Sequence, residues 1–227
     1  MNPAIYPIRL KISMAYVLVA ERAIIVDTGC AGEEDQILRG LRRFNLDPQS
    51  VSLILHTHGH TDHAGSTRAL KAKLGVPAAV HVADASKMRA GDSRPLVPLR
   101  LSSRILSLFL NPLFPAVEPD VLIEDGFSLA PFGVPATVLH TPGHTPGSIS
   151  VLFEDGRAVA GDLMMGGALG GAWHALDPGY HYYAEDLSEL RRSIRKLLDR
   201  GAKTIYLGHG GPLEGTRVRD RFASDLP

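Results

Sequence analysis

Three imidazoles and a carboxylate fall within six residues, His58-Gly59-His60-Thr61-Asp62-His63, two residues after the mostly apolar run Val51 to Leu55. Imidazole nitrogen and carboxylate oxygen are zinc donors, held at roughly 2 Å in a near-tetrahedral shell. A strand-to-loop junction can aim residues one position apart, here His58 and His60, at a common point. Asp62 and His63 then turn toward a second point close by. At the buried end of a strand such a group would carry heavy desolvation and repulsion costs unless a cation joined it.

Three further pieces lie downstream, each after an expected strand. His144 stands in Thr141-Pro142-Gly143-His144-Thr145-Pro146-Gly147, where prolines and glycines pin a tight turn. Asp162 stands in Ala160-Gly161-Asp162 and His209 in Gly208-His209-Gly210. Singly these are weak signals. Beside the cluster they supply what two metals need: ligands from separate strand ends, including a carboxylate able to bridge.

Together with Asp27 in the Asp27-Thr28-Gly29 turn, these residues resemble the metallo-β-lactamase superfamily over about residues 16 to 212. The resemblance implies an α/β fold, a four-layer αββα sandwich with its site at one edge of two sheets. It implies that His58, His60 and His144 hold a first metal, that Asp62, His63 and His209 hold a second, and that Asp162 bridges both. Asp27 would support the site without binding metal. Two Zn²⁺ per chain are expected, with iron or manganese as alternatives. Paired metals about 3.5 to 4 Å apart can share a hydroxide already ionised near neutral pH, which attacks a polarised carbonyl. Asp62 would orient it and relay its proton.

Fold alone does not choose the substrate. Zinc β-lactamases of this superfamily typically have Cys or Ser where Asp162 stands, which disfavours that activity; glyoxalase II-like thioesterases and lactonases resemble the chain better. The short stretch after His209 has no room for the helical C-terminal domain of full-length glyoxalase II. A small ester, thioester or lactone is therefore the expected small-molecule substrate. A mononuclear iron persulfide dioxygenase is the alternative from another reaction class.

The elements that must carry these residues follow from periodicity. Apolar, β-branched runs read as strands at Ile8 to Ile12, Tyr16 to Val19, Ile24 to Val26, Val51 to Leu55, Ala78 to Val82, Val134 to Leu139, Ile149 to Phe153, Ala158 to Ala160 and Thr204 to Leu207. Helical spacing marks Glu33 to Phe44, Ser66 to Leu74 and Asp186 to Arg200. No fixed-period repeat appears, so the reading is a single domain over 1–227. Within it, an apolar, proline-studded insertion at 93–120 is a lid, an oligomer contact that would make a homodimer, or simply packing on its own domain.

The 24 basic and 24 acidic side chains balance, which removes a general electrostatic reason to bind nucleic acid or an anionic membrane. A single cysteine, Cys30, cannot pair within the chain, and the N-terminus lacks signal-peptide character, so the expected location is cytoplasmic. Between Asp162 and the helix at 186–200, Trp173, Tyr180 and Tyr183 are expected substrate contacts at the mouth of the site, in a stretch that also holds His174, His181 and Tyr182. His56 and His140 read as packing or supporting residues, His81 as structural, and Thr57 and Thr141 as hydrogen-bond partners for the histidines.

Overall fold

The structure is a computed structural model that describes residues 2–225. Its strands alternate one residue in, one residue out, and most are apolar on both faces because both faces are covered. Strands β1 (Ala4–Arg9), β2 (Met14–Val19), β3 (Ala23–Val26), β4 (Val51–Leu55), β5 (Ala78–His81) and β6 (Val121–Ile123) form one six-stranded sheet in chain order. β1, β2 and β3 pair antiparallel, and β3 through β6 run parallel. The second sheet has the order β13-β12-β9-β8-β7, from β7 (Thr137–His140), β8 (Ile149–Leu152), β9 (Arg157–Val159), β12 (Thr204–Tyr206) and β13 (Leu213–Glu214). Between β9 and β12 the chain forms a separate hairpin, β10 (Met165–Ala168) with β11 (Trp173–Gly179).

Leu53 and Leu55 of β4 point to the layer between the sheets, where they meet Val138, Val151 and Val159. Ile54 points the other way, onto Ile37 and Leu41 of α1 (Glu34–Arg43) and Leu70 of α3 (Thr67–Leu74). On the far side, Ala158 and Ile205 meet Leu190, Ile194 and Leu197 of α6 (Leu187–Asp199), and Val218 and Phe222 of α7 (Gly215–Phe222). This is a four-layer αββα sandwich. Each fully buried leucine or isoleucine contributes about 1.5–3 kcal/mol by leaving water, so the layers are held chiefly by these faces. Among the described residues, no helix is long and apolar enough to cross a membrane.

Several elements differ from the sequence expectation. β1 begins earlier than Ile8 and ends at Arg9, because residues 10–13 make the turn into β2. β11 carries Asp177-Pro178-Gly179, which reads as a turn, yet pairs with β10 as an edge strand where a missing N–H is tolerated. α7 shows only Val218 and Phe222 as apolar anchors, too sparse for periodicity to find.

After α4 (Ala85–Ala90), the 93–120 insertion contains one short helix, α5 (Leu101–Leu106), and its base is tied down. The Ser93 amide donates to Pro112 O and the Phe114 amide to Gly91 O. Its first limb runs beside residues 182–184: the Leu99 amide donates to Tyr182 O and the Ala184 amide to Val97 O. Leu101, Leu108 and Phe109 are left exposed.

Candidate metal centre

Strand ends of both sheets meet at one edge of the sandwich. The loop after β4 carries His58 and His60 and runs into α2 (Thr61–Ala64), a single helical turn holding Asp62 and His63. The loop after β7 carries His144, the turn after β9 carries Asp162, and the turn after β12 carries His209. Gly208 is required there, since a Cβ would collide with the Asp162 carboxylate and the His63 ring.

These seven side chains converge. His58, His60 and His144 present donor atoms within 4.8 Å of one another, as do Asp62, His63 and His209. Asp162 lies between the two groups, with Oδ2 at 3.8 Å from His58 Nε2, 3.5 Å from His144 Nε2 and 3.4 Å from His209 Nε2. Its Oδ1 stands 3.4 Å from His63 Nε2. All but Asp62 are buried, and Asp62 is largely so.

Far-side nitrogens are held by the scaffold. His63 Nδ1–H donates to Asp27 Oδ2 at 2.8 Å, and His144 Nδ1–H to Tyr183 O at 2.9 Å. His58 Nδ1 lies 3.1 Å from Thr57 Oγ1, which itself donates to Asp27 Oδ2 at 2.7 Å. Such contacts fix ring orientation and leave the other nitrogen free to bind. Atoms facing the cluster, in contrast, lack partners: His58 Nε2, His63 Nε2, His209 Nε2 and Asp162 Oδ1 are buried without a hydrogen bond, while His60 Nδ1 and His144 Nε2 face each other at 3.1 Å. An unpaired buried polar atom costs about 1–3 kcal/mol, and so many in one place are what a cation would satisfy. The donor set fits divalent metal.

Charge is divided across the cluster. Burial, then the neighbouring imidazoles, drive the His58 ring well below its usual range; burial drives His60 down to about 3, and burial with His60 drives His144 to about 3. Burial opposes charge on His63 and His209 too. There the carboxylates win, Asp162 foremost, raising His63 well above the ordinary range and His209 to about 10. Burial would raise Asp162 and Asp62, but the facing histidines, His63 first, hold both below the carboxylate range. Metal entering the Asp62 side must therefore displace protons, which couples binding there to pH.

Two residues join the site that sequence reasoning did not single out. Asp84, fully buried, accepts from the Gly59 amide (2.8 Å), the Gly147 amide (2.8 Å) and Thr145 Oγ1 (2.7 Å), so it ties the His58–His60 loop to the His144 loop. A Cβ on Gly147 would strike its carboxyl. No spacing rule connects residues so far apart in the chain. His181 is buried with Nε2 3.3 Å from Asp162 Oδ2 and its ring 4.7 Å from that of His144. It follows the end of β11 at Gly179, a strand end that Asp177-Pro178-Gly179 disguises as a turn.

A cavity of about 770 Å³ opens over Asp62, Asp162, His181 and His209, walled by Leu10, Ile12 and Met14 on one side and Leu96, Leu106 and Leu110 of the insertion on another. The aromatic expectations part company here. Tyr183 lines the cavity, but its hydroxyl donates to Ser103 O at 2.9 Å. Tyr180 and Trp173 do not line it. Tyr180 packs on Phe222 with its hydroxyl toward Asp225 and Arg191, and Trp173 is exposed on β11. Thr141 bonds Ser150 rather than a site histidine. His81 and His140 stack at 3.9 Å away from the cluster, and His56 bonds Thr67.

A two-sheet sandwich with such a donor set at its edge defines the class as an α/β protein with a candidate metal centre. The chain belongs to the metallo-beta-lactamase superfamily, whose family profile matches residues 8–209. It is 32% identical to the probable metallo-hydrolase YflN of Bacillus subtilis, over 89% of this chain and 79% of that one. It is 28% identical to the hydroxyacylglutathione hydrolase GloC of Haemophilus influenzae, over 84% and 81%. Among solved structures, the BLEG-1 B3 metallo-beta-lactamase superposes with a TM-score of 0.72 at 25% identity, over 96% of this chain and 97% of that one.

Proposed function

We propose that this chain hydrolyses a small carboxylic ester, thioester or lactone with two divalent cations, zinc by preference. The observation that carries the reading is the double donor set with its unpartnered buried nitrogens, at the floor of an apolar-walled cavity. His58, His60 and His144 would hold one cation, Asp62, His63 and His209 the other, and Asp162 both. When bound, paired cations ionise water near neutral pH and polarise a carbonyl.

The remaining work belongs to the chain. In this reading Asp62, which lines the cavity beside the His63 that Asp27 holds from behind, takes a proton from the attacking water and passes it to the leaving group. The leucines of the insertion and of the β1–β2 turn exclude water and suit an acyl or aryl group. The Haemophilus relative is a hydroxyacylglutathione hydrolase, which supports a thioester within this range.

The test is metal quantification of the purified protein, paired with turnover of thioesters, lactones, aryl esters and the β-lactam nitrocefin. Two equivalents of zinc and preferred turnover of an ester or thioester are expected. One equivalent of iron, with oxygen uptake on a persulfide, would replace this reading. Nitrocefin turnover matching the best ester would move the substrate to β-lactams.

A further inference from the structure

His181 is a buried imidazole outside the two groups of expected metal ligands, although its donor atom lies within 4.8 Å of those of His144 and Asp162; it lines the cavity and faces Asp162. Its placement is built. Tyr182 O accepts from the Leu99 amide, Ala184 N–H donates to Val97 O, and the Tyr183 hydroxyl donates to Ser103 O, so the insertion clamps residues 182–184 immediately beyond it. The same stretch holds His144 through Tyr183 O.

The tautomer follows from its neighbours. The Tyr183 amide donates to Nδ1 at 3.3 Å, which leaves the single ring proton on Nε2; Nε2 lies 3.3 Å from Asp162 Oδ2 without an aligned hydrogen bond to it, so its N–H is not committed there. The Tyr183 carbonyl, 3.4 Å from Nδ1, is already engaged by His144. His181 thus directs an N–H into the cavity from a rigid base, beside the carboxylate at the centre of the donor set.

Resting on the hydrolase reading above, we propose that His181 is a further catalytic residue: its Nε2–H donates a hydrogen bond to the substrate oxygen on which negative charge develops. A donor fixed in advance at that position stabilises the charged transition state more than the neutral ground state, because nothing need reorganise. The role needs no change in the protonation of His181, only its neutral tautomer. It also gives the insertion a second task, since the clamp that walls the cavity also aims the donor.

The experiment compares His181→Ala and His181→Gln with the wild-type zinc-loaded protein, Gln being chosen because its side-chain N–H reaches the position of Nε2. Zinc content should stay at the wild-type stoichiometry in either variant, by metal quantification after chelator competition, because in this role the ring donates to substrate and binds no cation. Turnover (kcat) of the best ester or thioester should fall about 100-fold in His181→Ala and recover about tenfold in His181→Gln. A phosphonate monoester, a tetrahedral anion, should bind His181→Ala weaker by about the same factor as the loss in kcat/KM.

Loss of zinc from His181→Ala would overturn the proposal in favour of a metal ligand. Unchanged turnover and phosphonate affinity, or a Gln variant no better than Ala, would leave only packing. If wild type turns over none of the panel, the hydrolase reading fails by itself. The phosphonate comparison then decides whether His181 contacts an oxyanion in the cavity.

Discussion

Replacing Asp27 by Asn tests how the scaffold holds the centre. Asp27 Oδ1 accepts from the Thr57 amide at 2.8 Å, and Oδ2 accepts from Thr57 Oγ1 at 2.7 Å and His63 Nδ1–H at 2.8 Å. All three partners are buried, so no water can take over. Asn offers one acceptor oxygen and one NH₂. Whichever way the amide turns, its NH₂ meets an N–H, either of the Thr57 backbone or of His63. Backbone strain does not confuse the comparison, because the left-handed φ of 62° at this position suits Asn as well as Asp. Losing one charge-assisted bond and leaving a buried donor unpaired costs about 3 kcal/mol. At roughly 2–4 °C per kcal/mol for a chain of this size, Tm should drop by about 6–12 °C. Loosening His63 should weaken zinc binding about 10- to 100-fold. Thermal unfolding of the metal-free protein reads the first effect, and competition with a chromophoric chelator reads the second. A variant within about 1 °C of wild type, with zinc affinity within about twofold, would refute the supporting role assigned to Asp27.

Other outcomes follow from the same geometry. Stripping metal should abolish turnover and lower Tm, with both restored by Zn²⁺; at a free concentration of about 100 times Kd the restored stability is about 2.7 kcal/mol, and a Tm indifferent to metal would contradict the site. Asp62→Ala should remove most turnover while far-UV circular dichroism stays unchanged; a wild-type rate would exclude Asp62 as the proton carrier. Trp173→Ala should leave KM for small esters where it was, since the ring stands outside the cavity lining, and a large rise would place it at the mouth after all. Burial, with help from His140, pushes the His81 imidazole down to about 4. The unfolded chain then binds more protons between about pH 6.5 and 4, so this contribution to stability is complete above pH 6.5 and lost as pH falls through 4. His81→Asn keeps the side-chain acceptor for the Ala83 amide but not the titration, and its Tm should fall less than that of wild type between pH 7 and 4.5; parallel falls would refute this.

Deleting part of the insertion is more drastic than an exposed apolar loop suggests. Its Ser103 carbonyl holds the Tyr183 hydroxyl, and its Val97 and Leu99 pair with residues 182–184. Removing residues 96–114 would therefore disturb the acceptor behind His144 as well as the cavity wall. Substitutions at Leu96, Leu106 or Leu110 are the cleaner probe of substrate preference.

The seven side chains that converge at the sheet edge were legible in the chain as candidate donors because each is local to a strand end. An apolar run followed by histidines, or by a glycine turn holding one ligand, states both where a strand stops and what waits there. The two-layered burial of β4, with Leu53 and Leu55 facing one way and Ile54 the other, is likewise written in the apolar run Leu53-Ile54-Leu55. Asp84 and His181 were not legible. Their meaning lies in contacts with Gly59, Gly147 and Asp162, which only the packing of separate loops creates, and no periodicity records which loops will meet. For the same reason tyrosines of one segment turned different ways: Tyr180 toward α7, Tyr183 toward the insertion. Residue type and local spacing determined that this chain gathers metal donors. The tertiary structure decided which side chains surround them, because side-chain direction is set by neighbours distant in sequence.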